Sequence, residues 1–157
     1  MSKHTLAVIA IWMILASVIY YLVDRIQNPN TLASVGTGAT ATLKRGPDGH
    51  YRAEALINGE KIDVLIDTGA TGVAVSQSVA NKLGLKSFNA IRTTTANGDT
   101  VGYLVRLDSV KIGGVEAKNV SATIAPTLEG DVLLGMSYLG RMDVRLYKGT
   151  MTITQVE

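Results

Sequence analysis

The chain has 157 residues, enough for one domain plus a tail or anchor. Its 15 Lys+Arg against 13 Asp+Glu leave a net charge of +2, and no basic run exceeds Lys44-Arg45, so no nucleic-acid partner is expected. With no Cys and only 2 His, His4 and His50, it lacks disulfides and thiol nucleophiles and has almost no material for a metal centre or a Ser-His-Asp triad.

The first element is the uncharged run from Thr5 to Val23, TLAVIAIWMILASVIYYLV. A bilayer-spanning helix needs about 20 apolar residues. Tyr20 and Tyr21 stand at its C-terminal end, where aromatic side chains favour the membrane interface. A cleaved signal peptide has a shorter apolar core and a small-x-small cleavage site, and Ser17-Val18-Ile19-Tyr20-Tyr21 is a poor one. The expectation is a transmembrane helix over 5–23 behind a tail over 1–4. With that short tail left in the cytoplasm, the rest of the chain lies on the other side. Residues 24–41 carry Pro, Asn, Ser, Thr and Gly without periodicity and read as a linker.

From 42 to 157 the pattern becomes short strands with glycine turns. Asp48-Gly49 and Asn58-Gly59 are hairpin signals, because both dipeptides tolerate the positive φ of a type I′ turn. Tyr51 to Ile57 therefore pairs with Lys61 to Ile66. Ser76 to Gly84 is the one helical signal, with a capping Ser, Val79, Ala80 and Leu83 at helical spacing, and a Gly stop. Further strands are expected over 90–95, 101–107, 109–112, 115–124, 132–134, 142–146 and 150–154. Many short strands and one helix make an all-β barrel or sandwich.

The chemistry-bearing feature is the loop Asp67-Thr68-Gly69-Ala70-Thr71 at the end of an apolar strand. A carboxylate there is costly without partners, and Gly69 permits a tight loop whose N–H groups reach it. Alone, Asp-Thr-Gly also describes an ordinary turn after a strand. Two further features accompany it: an apolar run ending in glycine, Leu133-Leu134-Gly135, and between them a hairpin with a glycine tip, Ala96-Asn97-Gly98, able to act as a cover.

On these residues, with Met136-Ser137-Tyr138-Leu139 after the second glycine, the chain over about 42–156 resembles the retropepsin-like aspartic proteases, the clan of pepsin and the retroviral proteases, and within it the membrane-anchored bacterial family. The resemblance implies a single-domain retropepsin-like β-barrel and a catalytic role for Asp67. It implies a flap formed by Ala96, Asn97 and Gly98, and a cleft wall around Leu133, Leu134 and Gly135. No metal and no cofactor is expected. One Asp-Thr-Gly per chain implies a homodimer, since aspartic proteolysis uses two carboxylates sharing one proton. The implied partner is an extended polypeptide substrate, and the implied location is the bacterial inner membrane with the protease domain periplasmic. Ala70 cannot donate a hydrogen bond to the carboxylate as Ser or Thr does in pepsin-like enzymes, which implies work at mildly acidic pH. Met136-Ser137 stands where retroviral enzymes carry an Arg followed by Asn or Asp, so the polar contact made there needs another source. The competing reading is a catalytically silent module of the same fold that binds or scaffolds a peptide, and a weaker one has the domain released by self-cleavage in the linker.

Overall fold

The computed structural model describes residues 3–27, 39–95 and 98–156. Helix α1 spans Lys3–Gln27, 25 residues that contain the whole apolar run, and none of them is buried. By length and composition it is able to cross a membrane. It continues past the expected end at Val23, because Asp24, Arg25, Ile26 and Gln27 carry no helix breaker.

Ten strands follow: β1 Thr40–Lys44, β2 Tyr51–Ile57, β3 Glu60–Ile66, β4 Val73–Ser76, β5 Ala90–Thr95, β6 Gly98–Ile112, β7 Val115–Ala125, β8 Val132–Leu134, β9 Met142–Tyr147 and β10 Thr150–Gln155. Helix α2, Gln77–Lys82, lies between β4 and β5, and helix α3, Met136–Leu139, lies between β8 and β9. The main sheet runs β2-β3-β8-β4-β7-β6-β5, and a further pairing of β2 with β6 closes it into a barrel. That closure is short, Leu56↔Lys111 and Ile57↔Val110. It leaves β5 outside the ring as one arm of a hairpin with β6. A second sheet, β1-β10-β9, joins both ends of the domain.

Alternation builds the core. In β3 the inward Ile62, Val64 and Ile66 are 4%, 2% and 3% exposed, while Lys61 and Asp63 face outward. Ala55 and Ile57 from the neighbouring β2, and Leu107, Val110, Ile112 and Val120 from β6 and β7, complete this core with no exposed surface. Each such side chain contributes about 1.5–3 kcal/mol by leaving water.

The hairpin at Asn58-Gly59 forms as expected, with φ of 50° and 87°, and Lys148-Gly149, with φ of 46° and 78°, turns between β9 and β10. Ser76 caps α2 by accepting from the Val79 N–H, and Gly84 at φ 66° ends that stretch.

Four expectations are corrected. The turn at Asp48-Gly49 does not make a hairpin: β1 pairs with β10 and β2 with β3, and the turn closes on itself through Gly49 N–H to Gly46 O at 3.0 Å. The strands expected at 101–107 and 109–112 are one, because the Asn58 side chain accepts the N–H groups of Asp108 and Ser109 at 2.8 and 3.2 Å and carries β6 through. The domain has two short helices, since a single turn forms at Met136–Leu139 directly after β8. Its first strand starts at Thr40, ahead of residue 42.

Candidate active site

Strand β3 delivers Asp67. It lies next to β8 in parallel register, Leu65↔Leu133 and Ile66↔Leu134, so both strands end at the same level. The Asp67 N–H donates to Leu134 O at 3.0 Å and continues that ladder by one bond. The chain then turns: Ala70 N–H donates to Asp67 O at 3.3 Å, and Gly69 N–H donates to the carboxylate Oδ1 at 2.8 Å. The carboxylate is thereby oriented by its own loop. Asp67 is half-buried, and Thr68 and Gly69 beside it are exposed.

The two glycine-bearing segments interlock. Met136 N–H donates to Ala70 O at 2.8 Å and Ser137 N–H to Thr71 O at 2.9 Å. A Cβ on Gly135 would stand 2.5 Å from Ala70 O and closer still to Gly72 O, so only glycine lets the segments approach this far. Ser137 supplies the polar contact that the sequence left without a source. Its Oγ accepts from Val73 N–H at 3.1 Å and donates to Ser121 O at 3.4 Å, joining β4, α3 and β7. Sequence reasoning met this residue only as a departure from the retroviral pattern and gave it no role. The available signal was a hydroxyl two residues after the apolar-apolar-Gly run.

Asp63 and Leu65 share one face of β3, opposite the core residues, by the two-residue period of a strand, and Asp67 follows one residue past its end. That face borders a groove lined by Leu65 and Leu133, with Arg52, Glu54, Asp63, Glu129 and Asp131 around them. Of the expected apolar wall, Leu133 faces this groove. Leu134 is fully buried in the core, and Gly135 is buried beneath the acid loop. Burial pushes the Asp63 carboxyl above its ordinary value, and the charges of Asp131 and Glu54 add to this.

The expected flap is the hairpin of β5 and β6, paired from Thr95↔Gly98 to Ala90↔Tyr103. Gly98 takes φ 106°, which favours glycine. Ala96 and Asn97, expected at its tip, lie outside the described residues. Thr68, Gly69, Ala70 and Thr71 all lie in the loop after β3, as expected from their spacing.

A half-buried carboxylate oriented by its own loop, with Thr68 and Gly69 exposed beside it, fits a family assignment. The model of the family described as "gag-polyprotein putative aspartyl protease" matches residues 53–141. An uncharacterized protein of the cobV 5′ region of a Sinorhizobium species is 34% identical over 106 residues, 65% of this chain and 46% of its own. An uncharacterized protein of Rickettsia prowazekii is 37% identical over 103 residues, 63% of this chain and 44% of its own. The chain thus spans less than half the length of these two relatives. A solved retropepsin-like aspartic protease from Rickettsia conorii superposes with a TM-score of 0.65 at 33% identity, covering 74% of this chain and 90% of that one. By its matched model and this relative, the chain belongs to the retropepsin-like aspartic protease family.

Proposed function

We propose that this chain is a membrane-anchored aspartic endopeptidase that hydrolyses peptide bonds of extended polypeptides, with Asp67 of two identical copies forming the catalytic pair. The observation that carries the reading is the Asp67 loop: an oriented carboxylate, locked to the Gly135 segment by two backbone hydrogen bonds and open at Thr68 and Gly69. One chain supplies one such loop. Two carboxylates at close range cannot both ionise, so the pair holds one proton. The ionised member takes a proton from a bound water, which attacks the peptide carbonyl. The neutral member donates a hydrogen bond to the carbonyl oxygen. The tetrahedral intermediate collapses as the amine nitrogen gains a proton and leaves. No metal or cofactor enters these steps.

The hairpin of β5 and β6 covers the substrate, which lies extended and pairs through its backbone. The flap residues expected from the sequence are Ala96, Asn97 and Gly98, and Leu133 with Leu65 contacts the side chains flanking the scissile bond. The acidic lining of the groove supports segments with basic residues over acidic ones. The arrangement along the chain is a tail over 1–4, a membrane helix over 5–23, a linker over 24–41 and a protease domain over 42–157. The exposed apolar surface of α1 supports the anchor. The site we assign is the bacterial inner membrane with the protease domain on the periplasmic side.

The test is cleavage of an unbiased peptide library by the full chain and by Asp67→Asn between pH 4 and 7. Cleavage by the wild type alone, with fold and association equal in both, supports the reading. A dimeric wild type that cuts nothing refutes it and favours a silent peptide-binding module.

A further inference from the structure

The loop between α2 and β5 carries the chain's one Phe, and Phe88 is 95% exposed, more than any large apolar side chain of α1. A ring left in water forgoes the stabilisation that burial gives apolar side chains. The backbone holds it there. Leu85 N–H donates to Ala80 O at 2.8 Å, Ala90 N–H to Phe88 O at 3.1 Å and Leu104 N–H to Asn89 O at 2.9 Å. Asn89 N–H donates to the Ser87 Oγ at 3.1 Å. Phe88 is thus presented by a loop pinned to α2 before it and to β6 after it.

By the two-residue period, Leu104 and Arg106 share the outward face of β6, and Leu104 is 45% exposed. Lys86 and Arg106 lie with Phe88 in one open depression, lined also by Asn89, Leu104 and Ser121, and no acid lines it. Both cations are exposed, and among the described residues neither makes an ion pair. The groove beside the Asp67 loop has the opposite character, with Glu54, Asp63, Glu129 and Asp131 in its lining. The domain therefore sorts its charge by face, and its most exposed ring stands on the basic one.

An aromatic ring flanked by unpaired cations suits the surface of an anionic bilayer, with the ring at the acyl boundary and the cations among the headgroups. A specific protein interface covers about 800 Å² on each side, over half of it apolar. Phe88 and Leu104 together supply about 300 Å² of apolar surface, too little for such a partner. A bilayer is also within reach. Residues 28–39 separate α1 from β1. Fully extended, they span at most about 40 Å, and a domain of this size is about 35 Å across.

We propose that Phe88, with Lys86 and Arg106, docks on the anionic surface of the bilayer that holds α1. The loop runs directly into β5, so docking fixes the root of the β5–β6 hairpin at that surface. The proposal rests on the membrane-anchored reading.

The test uses the full chain with Asn89→Cys, a single thiol in a cysteine-free sequence, carrying an environment-sensitive fluorophore. It is reconstituted in vesicles of phosphatidylcholine with about a third phosphatidylglycerol, or of phosphatidylcholine alone. Label emission is expected to shift to the blue in the anionic vesicles and to keep its detergent value in the neutral ones. Phe88→Ala abolishes the shift, and so does Lys86→Glu combined with Arg106→Glu; all three positions are exposed, so the fold is retained. Added salt reverses it. An unshifted label in anionic vesicles overturns the proposal, as does a shift equal in both lipids and indifferent to the charge reversal. A shift already present in detergent that grows with protein concentration means that a second copy covers Phe88, and overturns it as well. Trp12, the chain's one Trp, reports α1 separately through quenching by brominated lipid. A quenched Trp12 with an unshifted label sinks the surface and leaves the anchor. An unquenched Trp12 with a label that still shifts does the reverse.

Discussion

Ser137 uses one hydroxyl to tie the start of β4, directly after the acid loop, to β7. Removing it leaves the Val73 N–H without its acceptor at 3.1 Å and frees Ser121 O. Ser137→Ala is expected to lower stability by about 1–3 kcal/mol, the cost of an unsatisfied partly buried donor, read as a shift in the urea midpoint at constant slope. Because the loop carries Asp67, kcat should fall more than KM rises. Asp63 is the residue whose charge works against the fold. Its carboxyl is held above the ordinary value by burial and then by Asp131 and Glu54. The folded state therefore binds its proton more tightly than the unfolded state. Below the unfolded value of 3.8 both states are protonated and the group costs nothing; as pH rises through the raised folded value the penalty becomes complete. Asp63→Asn is expected to be more stable than wild type at pH 7, with the gap closing toward pH 3 in paired urea titrations.

At the scale of elements, Asn58 joins the β2–β3 hairpin to β6. It holds φ 50°, and its side chain accepts from two N–H groups across the barrel closure. Asn58→Ala is expected to cost about 2 kcal/mol, from the lost acceptor and the left-handed backbone together. Asn58→Gly, which relieves the backbone, should recover part of it. This residue also marks what a sequence conceals. Asn58-Gly59 was legible as a turn because turn chemistry is local, and the acid loop and Leu133-Leu134-Gly135 were legible because their spacing is distinctive. The second role of Asn58, across to Asp108, is not local. Nor are the parallel pairings β3–β8 and β4–β7, which decide where Asp67 sits. Asp48-Gly49 has the same chemistry as Asn58-Gly59, yet its flanking strands belong to different sheets, since Leu43 and Ala41 are buried opposite Met151 and Ile153. Strand β4 is four residues long, directly after Gly72, too short for alternation to be read.

At the scale of the whole molecule, the proposed anchor would convert association of the two proposed copies from a problem in three dimensions to one in a surface. Two copies on one membrane meet at an effective concentration set by their tethers. A chain lacking residues 1–38 is expected to lose activity on dilution at concentrations about a hundredfold higher than the full chain reconstituted in vesicles, as measured by specific activity against concentration. Equal dilution curves would show that the anchor adds nothing to the pairing.

Strand β6 has one further consequence. From Tyr103 to Ile112 it is clasped by β7 and, near its end, by β2, whereas from Gly98 to Val101 its strand partner among the described residues is β5. Gly102 is pressed against Thr123 and Ile124 where the arm leaves the barrel, which makes that point a fulcrum. Everything beyond the fulcrum is therefore open to change in length. Residues added between Thr95 and Gly98 would lengthen this arm and move no core side chain. On the proposed reading, the breadth of chain that the groove admits can thus vary among descendants of this sequence without any renegotiation of how the barrel folds.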